Sequence, residues 1–170
     1  PGYQTQVALQ YDSGNYEGAL KKALKNANYE KLKKERAAAR SDGKLMGIGF
    51  STYIEACGIA PSAVVGSLGC RVGLYDAASI RVHPTGKVTI HAGAHSHGQG
   101  HETTFAQIVA DSFGIGMDDV NVIHGDTENV PFGMGTYGSR SIAVCGSAIM
   151  KSVDKVKEKG ARIAAHKLEC

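Results

Sequence analysis

The sequence predicts an α+β fold in which a mixed or antiparallel sheet packs against helices. Several short segments after residue 44 alternate apolar and polar residues, which is typical of half-buried strands. Other segments repeat apolar residues at helical spacing, and a hairpin turn joins two of the strands. Strands and helices alternate irregularly along the chain, with several antiparallel connections. This order favours α+β over a doubly wound parallel sheet.

Length and composition fit one globular domain without a strong charge bias. The chain has 170 residues, of which 42% are hydrophobic and 21% charged, and its net charge is +3. Such a length can bury a real core, and so small a net charge gives no argument for nucleic acid. The positive excess lies in residues 21–40, where Glu30 and Glu35 interleave with lysines and arginines. A solvated helix face explains this run, with an RNA or partner patch as the alternative.

The cysteines and the apolar runs predict a cytoplasmic protein. The four cysteines show neither CxxC nor zinc-finger spacing and are interpreted as reduced thiols. No apolar run approaches the roughly 20 residues that span a bilayer. The chain begins with Pro1 rather than methionine and ends at Cys170 within a helical pattern, so we expect a fragment of a larger subunit.

Residues 1–43 are predicted to be a helical lead-in. The first 11 residues show little periodicity and predict an extended segment. Candidate N-caps at 12–15 precede a helical pattern from Tyr16 to Ala27. The segment 26–28, with asparagines at 26 and 28, breaks that helix, and a more polar helix follows over 29–40.

Residues 44–170 are predicted to form a sheet-and-helix core that, with the lead-in, is part of one domain. Alternation predicts strands over 44–55, 70–75, 79–83, 87–92 and 118–124. The turn His83-Pro84-Thr85-Gly86 joins two of them. One face of that hairpin would carry Ile80, Val82, Val88 and Ile90. Residues 58–69 form a loop, either buried near a ligand or compact at the surface.

The stretch 93–111, GAHSHGQGHETTFAQIVAD, is the first candidate ligand site. Its glycines let the backbone turn sharply and approach a ligand. A helix predicted to begin near His101 adds unpaired N–H groups and the positive end of its dipole, which suit an anion. Side chains of Gln99, His101, Thr103 and Thr104 add hydrogen-bonding groups there. A glycine turn with capping side chains is the alternative.

A second glycine-rich segment, 133–140, precedes a long helix that reaches about Leu168. It matches G-x-G-x-x-G, but no strand ends directly before it and Asp154 falls within a helix, so a Rossmann site does not fit. A second anion-binding loop at a helix start fits better, with Arg140 able to pair a phosphate through two hydrogen bonds. We expect the two loops to be neighbours, with Arg140 directed into the cleft between them.

Four histidines cluster around the first loop: His91, His95, His97 and His101. The i, i+2 spacing of His95 and His97 is compatible with a zinc or copper pair. Only Glu102 stands nearby as a further ligand. Loop histidines that hydrogen-bond backbone or phosphate are the simpler interpretation.

The stretch GAHSHGQGHETTFAQIVAD, followed by HGDTENVPFGMGTYGSRS, resembles the molybdenum-binding large subunit of the xanthine oxidase family. More narrowly, it resembles aerobic carbon monoxide dehydrogenase-like large subunits. The similarity also covers YDSGNYEGALKKAL, GIGFSTYIEACG and RVHPTGKVTIHAG, and so extends through almost the whole chain. Such long, ordered matches are far more specific than one glycine motif.

This resemblance implies a molybdopterin-type molybdenum cofactor, with the cytosine dinucleotide form as a candidate. It carries the family's pyranopterin contact onto Gln99 and Gly100, and places 136–140 near the molybdenum end. The resulting cofactor-binding prediction is Gln99, Gly100, His101, Thr103, Thr136, Tyr137, Gly138, Ser139 and Arg140. Direct ligation of the metal by histidine is not implied.

The family's reaction uses water as the oxygen source and passes electrons to iron–sulfur clusters and FAD on partner subunits. By resemblance, the catalytic glutamate and the substrate loop lie outside this chain, so we expect the chain alone to be inactive. An aldehyde or N-heterocycle hydroxylase of the same family is one alternative. A non-enzymatic, histidine-rich metal-binding module is the alternative from another class.

Overall fold

The computed structural model describes residues 2–6, 10–11, 13–55, 57–58, 62–67 and 69–170, which form two compact units. In the first unit, Pro1–Tyr53, a short antiparallel strand pair precedes two helices. These elements are β1 (Tyr3–Gln4), β2 (Gln10–Tyr11), α1 (Tyr16–Asn26) and α2 (Tyr29–Ser41). The Asn15 side chain accepts the Gly18 N–H at 2.9 Å and caps α1, as predicted. Of the other candidate caps, Asp12 lies outside the described residues.

The strand predicted over 44–55 is wrong, because the structure assigns no strand to these residues. A segment with alternating apolar residues becomes a strand only when a neighbouring strand pairs with its backbone N–H and C=O groups. Among the described residues, no strand pairs with this segment. The large side chains of this segment are correspondingly exposed, Leu45 at 96% and Tyr53 at 83%.

The second unit, Ile54–Cys170, contains a three-stranded mixed sheet in the order β3-β4-β5. Its strands are β3 (Ala78–Val82), β4 (Val88–Ala92) and β5 (Val120–His124). β3 and β4 are antiparallel across the predicted hairpin, with Ile80 opposite Ile90, whereas β4 and β5 are parallel. The hairpin, its turn and the α+β class are therefore as predicted.

Two helices pack on this sheet and on each other, α4 (His101–Phe113) against β5 and α5 (Gly146–Leu168) against β3. The core between the layers contains Val88, Ile90, Ala92, Ala94, Phe105, Val109, Cys145, Ile149 and Val153. A five-residue π-helix, Ser141–Cys145, leads into α5. The apolar face that runs along the π-helix and α5 is buried only in its middle, since Ile142 and Ile163 are about half exposed.

Two further segments differ from the sequence prediction. Residues 70–75 form no strand, and the predicted loop 58–69 contains a short helix, α3 (Ser62–Ser67), with residues 59–61 and 68 outside the described set. A single 3-10 turn, Met117–Asp119, precedes β5. All four cysteines are free, and Cys145 alone among them is buried. Among the described helices, none combines the length and apolarity that crossing a membrane requires.

Candidate functional site

The two glycine-rich segments cross at Gly93 and Gly133. A Cβ added to Gly93 would collide with the Phe132 carbonyl oxygen, and one added to Gly133 would collide with the Gly93 carbonyl oxygen. Only glycine permits two backbones to approach this closely. Gly93 continues from β4 and donates its N–H to Ala77 O at 3.0 Å, so the sheet fixes one side of the crossing. The prediction that the loops are neighbours agrees with this geometry.

The Thr136 hydroxyl oxygen connects the two loops beyond the crossing. It accepts the backbone N–H of His95 at 3.1 Å and lies 3.1 Å from the donating Ser141 hydroxyl. One oxygen thus joins the first glycine loop, the second glycine loop and the π-helix that opens α5.

A cavity of about 500 Å³ lies between the loops, within the usual size range of small-molecule sites. It is lined by His97, Gln99, His101, Thr104, Thr136, Tyr137, Ser139, Ser141 and Ile142. Five residues of the predicted set are in this lining, and Gly100, Thr103 and Gly138 are sequence neighbours of lining residues. His97 was predicted only as a member of the histidine group. Ser141 and Ile142 were not predicted, because apolar residues at helical spacing do not show which end of the helix meets a cavity.

The Gln99 side chain is held in one orientation by its own loop. Its Oε1 accepts the backbone N–H of His97 at 2.6 Å, which leaves the two N–H donors of the amide for the cavity. The Gln99 side chain is therefore available to a ligand mainly as a hydrogen-bond donor. Gly98 and Gly100 both adopt positive φ, and a Cβ on either would meet nothing within 4 Å. The backbone beside Gln99 is consequently open to a ligand.

His101 is the first residue of α4 and is 8% exposed. Its ring stacks on Phe105 with centroids 5.4 Å apart. Burial lowers its pKa, which favours a neutral imidazole at pH 7. Its Nδ1 is buried and has no hydrogen-bond partner within the described residues. An orphaned polar atom of this kind indicates an additional partner.

Arg140 does not point into the cleft, which corrects the predicted orientation. Its side chain is fully buried, and Nη1 lies 2.9 Å from Asp76 Oδ2. Nη1 and Nη2 also donate to the carbonyl oxygens of Gly135 and Leu74, at 2.8 and 2.7 Å. Asp76 Oδ1 in turn accepts the Met134 N–H at 3.0 Å. The guanidinium therefore supports the second loop from beneath, with its charge already paired.

Asp76 was missed by sequence reasoning. It lies in a segment predicted as ordinary strand and turn, and no local motif links it to Arg140. The only available signal was a lone carboxylate between apolar stretches, which is too common to select a residue.

The described residues show no metal centre built from the histidines. Across the part of the chain that the structure describes, no group of three or more His, Cys, Asp or Glu side chains is arranged to hold an ion. His91 faces the Ser79 hydroxyl at 3.4 Å, and the rings of His95 and His97 are 6.0 Å apart. The simpler interpretation of these residues as hydrogen-bonding loop histidines fits this arrangement.

A family model described as molybdopterin cofactor-binding domain matches residues 22–170. The chain is 46% identical over 170 residues to the carbon monoxide dehydrogenase large chain of Hydrogenophaga pseudoflava, covering 98% of this chain and 21% of that protein. It is 30% identical to the nicotine 6-hydroxylase large subunit of Paenarthrobacter nicotinovorans, covering 94% and 19%.

Two solved structures also align with almost the whole of this chain. A Cu,Mo-CO dehydrogenase in its carbon monoxide reduced state aligns with a TM-score of 0.67 and 43% identity, over 99% of this chain and 22% of that one. Quinoline 2-oxidoreductase from Pseudomonas putida 86 aligns with a TM-score of 0.74 and 33% identity, over 99% and 21%. The chain thus spans about a fifth of the length of these relatives.

Proposed function

The chain belongs to the family of molybdopterin cofactor-binding domains, and we propose that its interloop cavity holds the pterin part of a molybdenum cofactor. The observation that carries this proposal is the convergence of both glycine loops on one cavity with unused donors. Those donors are the Gln99 amide N–H groups and the open backbone at the start of α4. The orphaned Nδ1 of His101 adds a polar atom that needs a partner.

Each loop has a distinct role in this proposal. Gln99, Gly100, His101 and Thr103 contact the cofactor from the start of α4, with Gln99 donating to a polar edge of the pterin. The second loop contributes Thr136, Tyr137, Gly138 and Ser139. Arg140 acts from beneath by holding the Gly135 carbonyl in place. Residues 44–170 supply the binding core and 1–43 the lead-in of the same domain.

The complete protein is proposed to be a carbon monoxide dehydrogenase-like molybdenum hydroxylase. The bound cofactor would supply two-electron oxidation of a small substrate with water as the oxygen source, and iron–sulfur clusters and FAD on partner subunits would receive the electrons. The cofactor is proposed in its cytosine dinucleotide form. The protein is proposed to be cytoplasmic, which its four free thiols fit. The residues of this chain bind and orient the cofactor.

An aldehyde or N-heterocycle hydroxylase is the second candidate, because relatives named for nicotine and quinoline also match over most of the chain. Turnover of the complete enzyme with carbon monoxide, an aldehyde and an N-heterocycle separates these activities.

The test compares Gln99→Ala and Gln99→Glu in the complete subunit assembled with its partners. Glutamate keeps an oxygen for the His97 N–H but removes the amide donors. If donation to the pterin matters, both variants lose molybdenum and pterin, measured by elemental analysis and by fluorescence of the oxidised pterin. Gln107→Glu, on the exposed side of α4, is the matched control and should retain the cofactor.

Full occupancy in both Gln99 variants would contradict the assignment. Retention in Gln99→Glu with loss in Gln99→Ala would show that Gln99 only shapes its loop. Stoichiometric zinc or copper without pterin in the wild-type protein would favour the histidine-rich metal module instead.

A further inference from the structure

Outside the cavity lining, three elements meet in a hydrogen-bonded chain of side chains. His124 ends β5, and its Nε2 lies 2.7 Å from Glu102 Oε1 in the first turn of α4. His124 Nδ1 lies 3.2 Å from Nδ1 of His95, which belongs to the first glycine loop (residues 93–100). The backbone N–H of Ser96 also points at His124 Nδ1, at 3.5 Å. The His124 ring is 14% exposed.

These contacts determine where the protons lie. Glu102 accepts, so His124 Nε2 carries a proton. In the neutral ring, Nδ1 is then a bare acceptor, which matches the Ser96 N–H directed at it. His95 must therefore donate from its own Nδ1. The two rings share one proton between facing Nδ1 atoms.

This arrangement tolerates one added proton but not two. With a single added proton, one Nδ1 still donates and the other still accepts. When both rings are fully protonated, two N–H groups face each other and the contact becomes repulsive. Histidine is the side chain that ordinarily titrates between pH 5 and 8.

We propose that His124 is a positioning residue of the candidate site, holding the first glycine loop against the start of α4 through the proton shared with His95. The same loop carries His97 and Gln99 into the cavity, and the His95 backbone N–H binds Thr136 of the second loop. Loss of the shared proton contact therefore releases both sides of the cavity wall. Only the consequence for cofactor retention rests on the proposed function.

The charged and titratable groups around His124 come from each element packed on it. Glu102 of α4 is the acidic group, and its charge stabilises one positive charge on the pair. His95 and His97 come from the loop and His101 from α4, and these are the other titratable groups near His124.

Hydrogen–deuterium exchange of residues 93–100 in the complete protein, corrected for intrinsic rates between pH 8 and 5, tests the proposal. In the wild type, protection should fall roughly tenfold toward pH 5, the equivalent of one charge-assisted hydrogen bond. His124→Asn can place an amide oxygen near the Nδ1 position without titrating, so loop protection should persist and lose its pH dependence. His124→Gln keeps a donor for Glu102 but no acceptor for His95, so protection should be low at every pH.

The Asn and Gln variants separate positioning from mere filling of space, because a role of the ring volume alone predicts the same loss in both. His95→Asn provides a second variant on the exposed loop and should also flatten the profile. His83→Asn is the control, since His83 bonds Thr89 in the β3–β4 hairpin, and it should leave the wild-type profile intact.

A flat wild-type profile would overturn the proposal, as would equal losses in the Asn and Gln variants. Absence of pterin from a wild-type protein whose loop shows the expected profile would refute the proposed function and leave the positioning role standing. A normal pterin content with a flat loop profile would refute the positioning role and leave the proposed function standing.

Discussion

At the residue scale, Asp76 and Arg140 form a buried ion pair in the second unit. Both side chains are fully buried, and the guanidinium also holds two backbone carbonyls. Removing one partner of a buried pair leaves an uncompensated charge, which costs about 3–5 kcal/mol. We expect Asp76→Asn to lower the free energy of unfolding by that order, measured by denaturant titration.

The control for this prediction is an exposed pair of the same type. Glu17→Gln breaks the contact with Lys21. Both of these side chains are more than 70% exposed, so this change should alter the free energy of unfolding little. Faster exchange of the Met134 amide in Asp76→Asn would locate the effect at the second loop. An unchanged unfolding curve would show that Arg140 finds another counter-charge.

Glu102 gives a pH-dependent prediction. The pKa of Glu102 is lowered from 4.5 to about 2, first by a hydrogen bond from its own backbone N–H and second by the hydrogen bond from the His124 side chain. Because the folded pKa is depressed, the stabilisation is complete above about pH 4.5 and is lost as the pH falls toward 2. A carboxyl NMR titration of Glu102 checks this value. High salt should raise it, since the side chain is 53% exposed and open to screening.

Residue identity alone predicted part of the site. Gln99 and His101 could be placed because glycine spacing and a helix start mark the loop on which they lie. Arg140 was assigned the wrong orientation, because its ability to bind phosphate is visible in the sequence but its partner Asp76 is not. The same limit hid the contact of His124 with His95, since pairing between distant segments depends on how the sheet orders its strands.

At the scale of elements, replacing glycine by alanine should have opposite effects on stability at the glycine crossing and within α5. Gly93→Ala or Gly133→Ala forces two backbones apart and should destabilise the second unit by roughly 1–3 kcal/mol. Gly160→Ala lies within α5, where an added Cβ meets nothing within 4 Å. It should stabilise the helix by about 0.5–1 kcal/mol. Thermal unfolding of the three variants distinguishes them, and a tolerated alanine at Gly93 would contradict the crossing.

Elements whose turn residues, caps and partner strands lie close together in the sequence were predicted correctly. Elements that depend on distant partners were not. The hairpin has its turn residues and both partner strands in sequence, and α4 has a glycine at each end. Residues 44–55 and 70–75 alternate as strands do, but the described residues supply no neighbour to complete a ladder there. The π-helix Ser141–Cys145 also escaped prediction, because an apolar stripe does not distinguish an i→i+5 turn from an α-helical one.

At the scale of the whole second unit, the sheet and the crossing bring two distant loops to one cavity. β4 leads into the first loop, and the π-helix that opens onto α5 begins where the second loop ends. Neither loop alone encloses a ligand, and Thr136 joins them through a single oxygen. The site is therefore a property of the fold rather than of either glycine motif.

This linkage predicts that the two loops respond to the cofactor together. In the complete protein, cofactor loading should increase amide protection in both 97–101 and 135–141, because a ligand that binds only the assembled cavity stabilises every contact that assembles it. The Pro84–Gly86 turn, at the other end of β4, serves as the internal control and should not change. Thr136→Val removes the shared oxygen at nearly constant volume and should uncouple the response, leaving one loop protected and the other mobile. Protection of both loops in Thr136→Val, at the wild-type level, would mean that the crossing glycines alone carry the coupling.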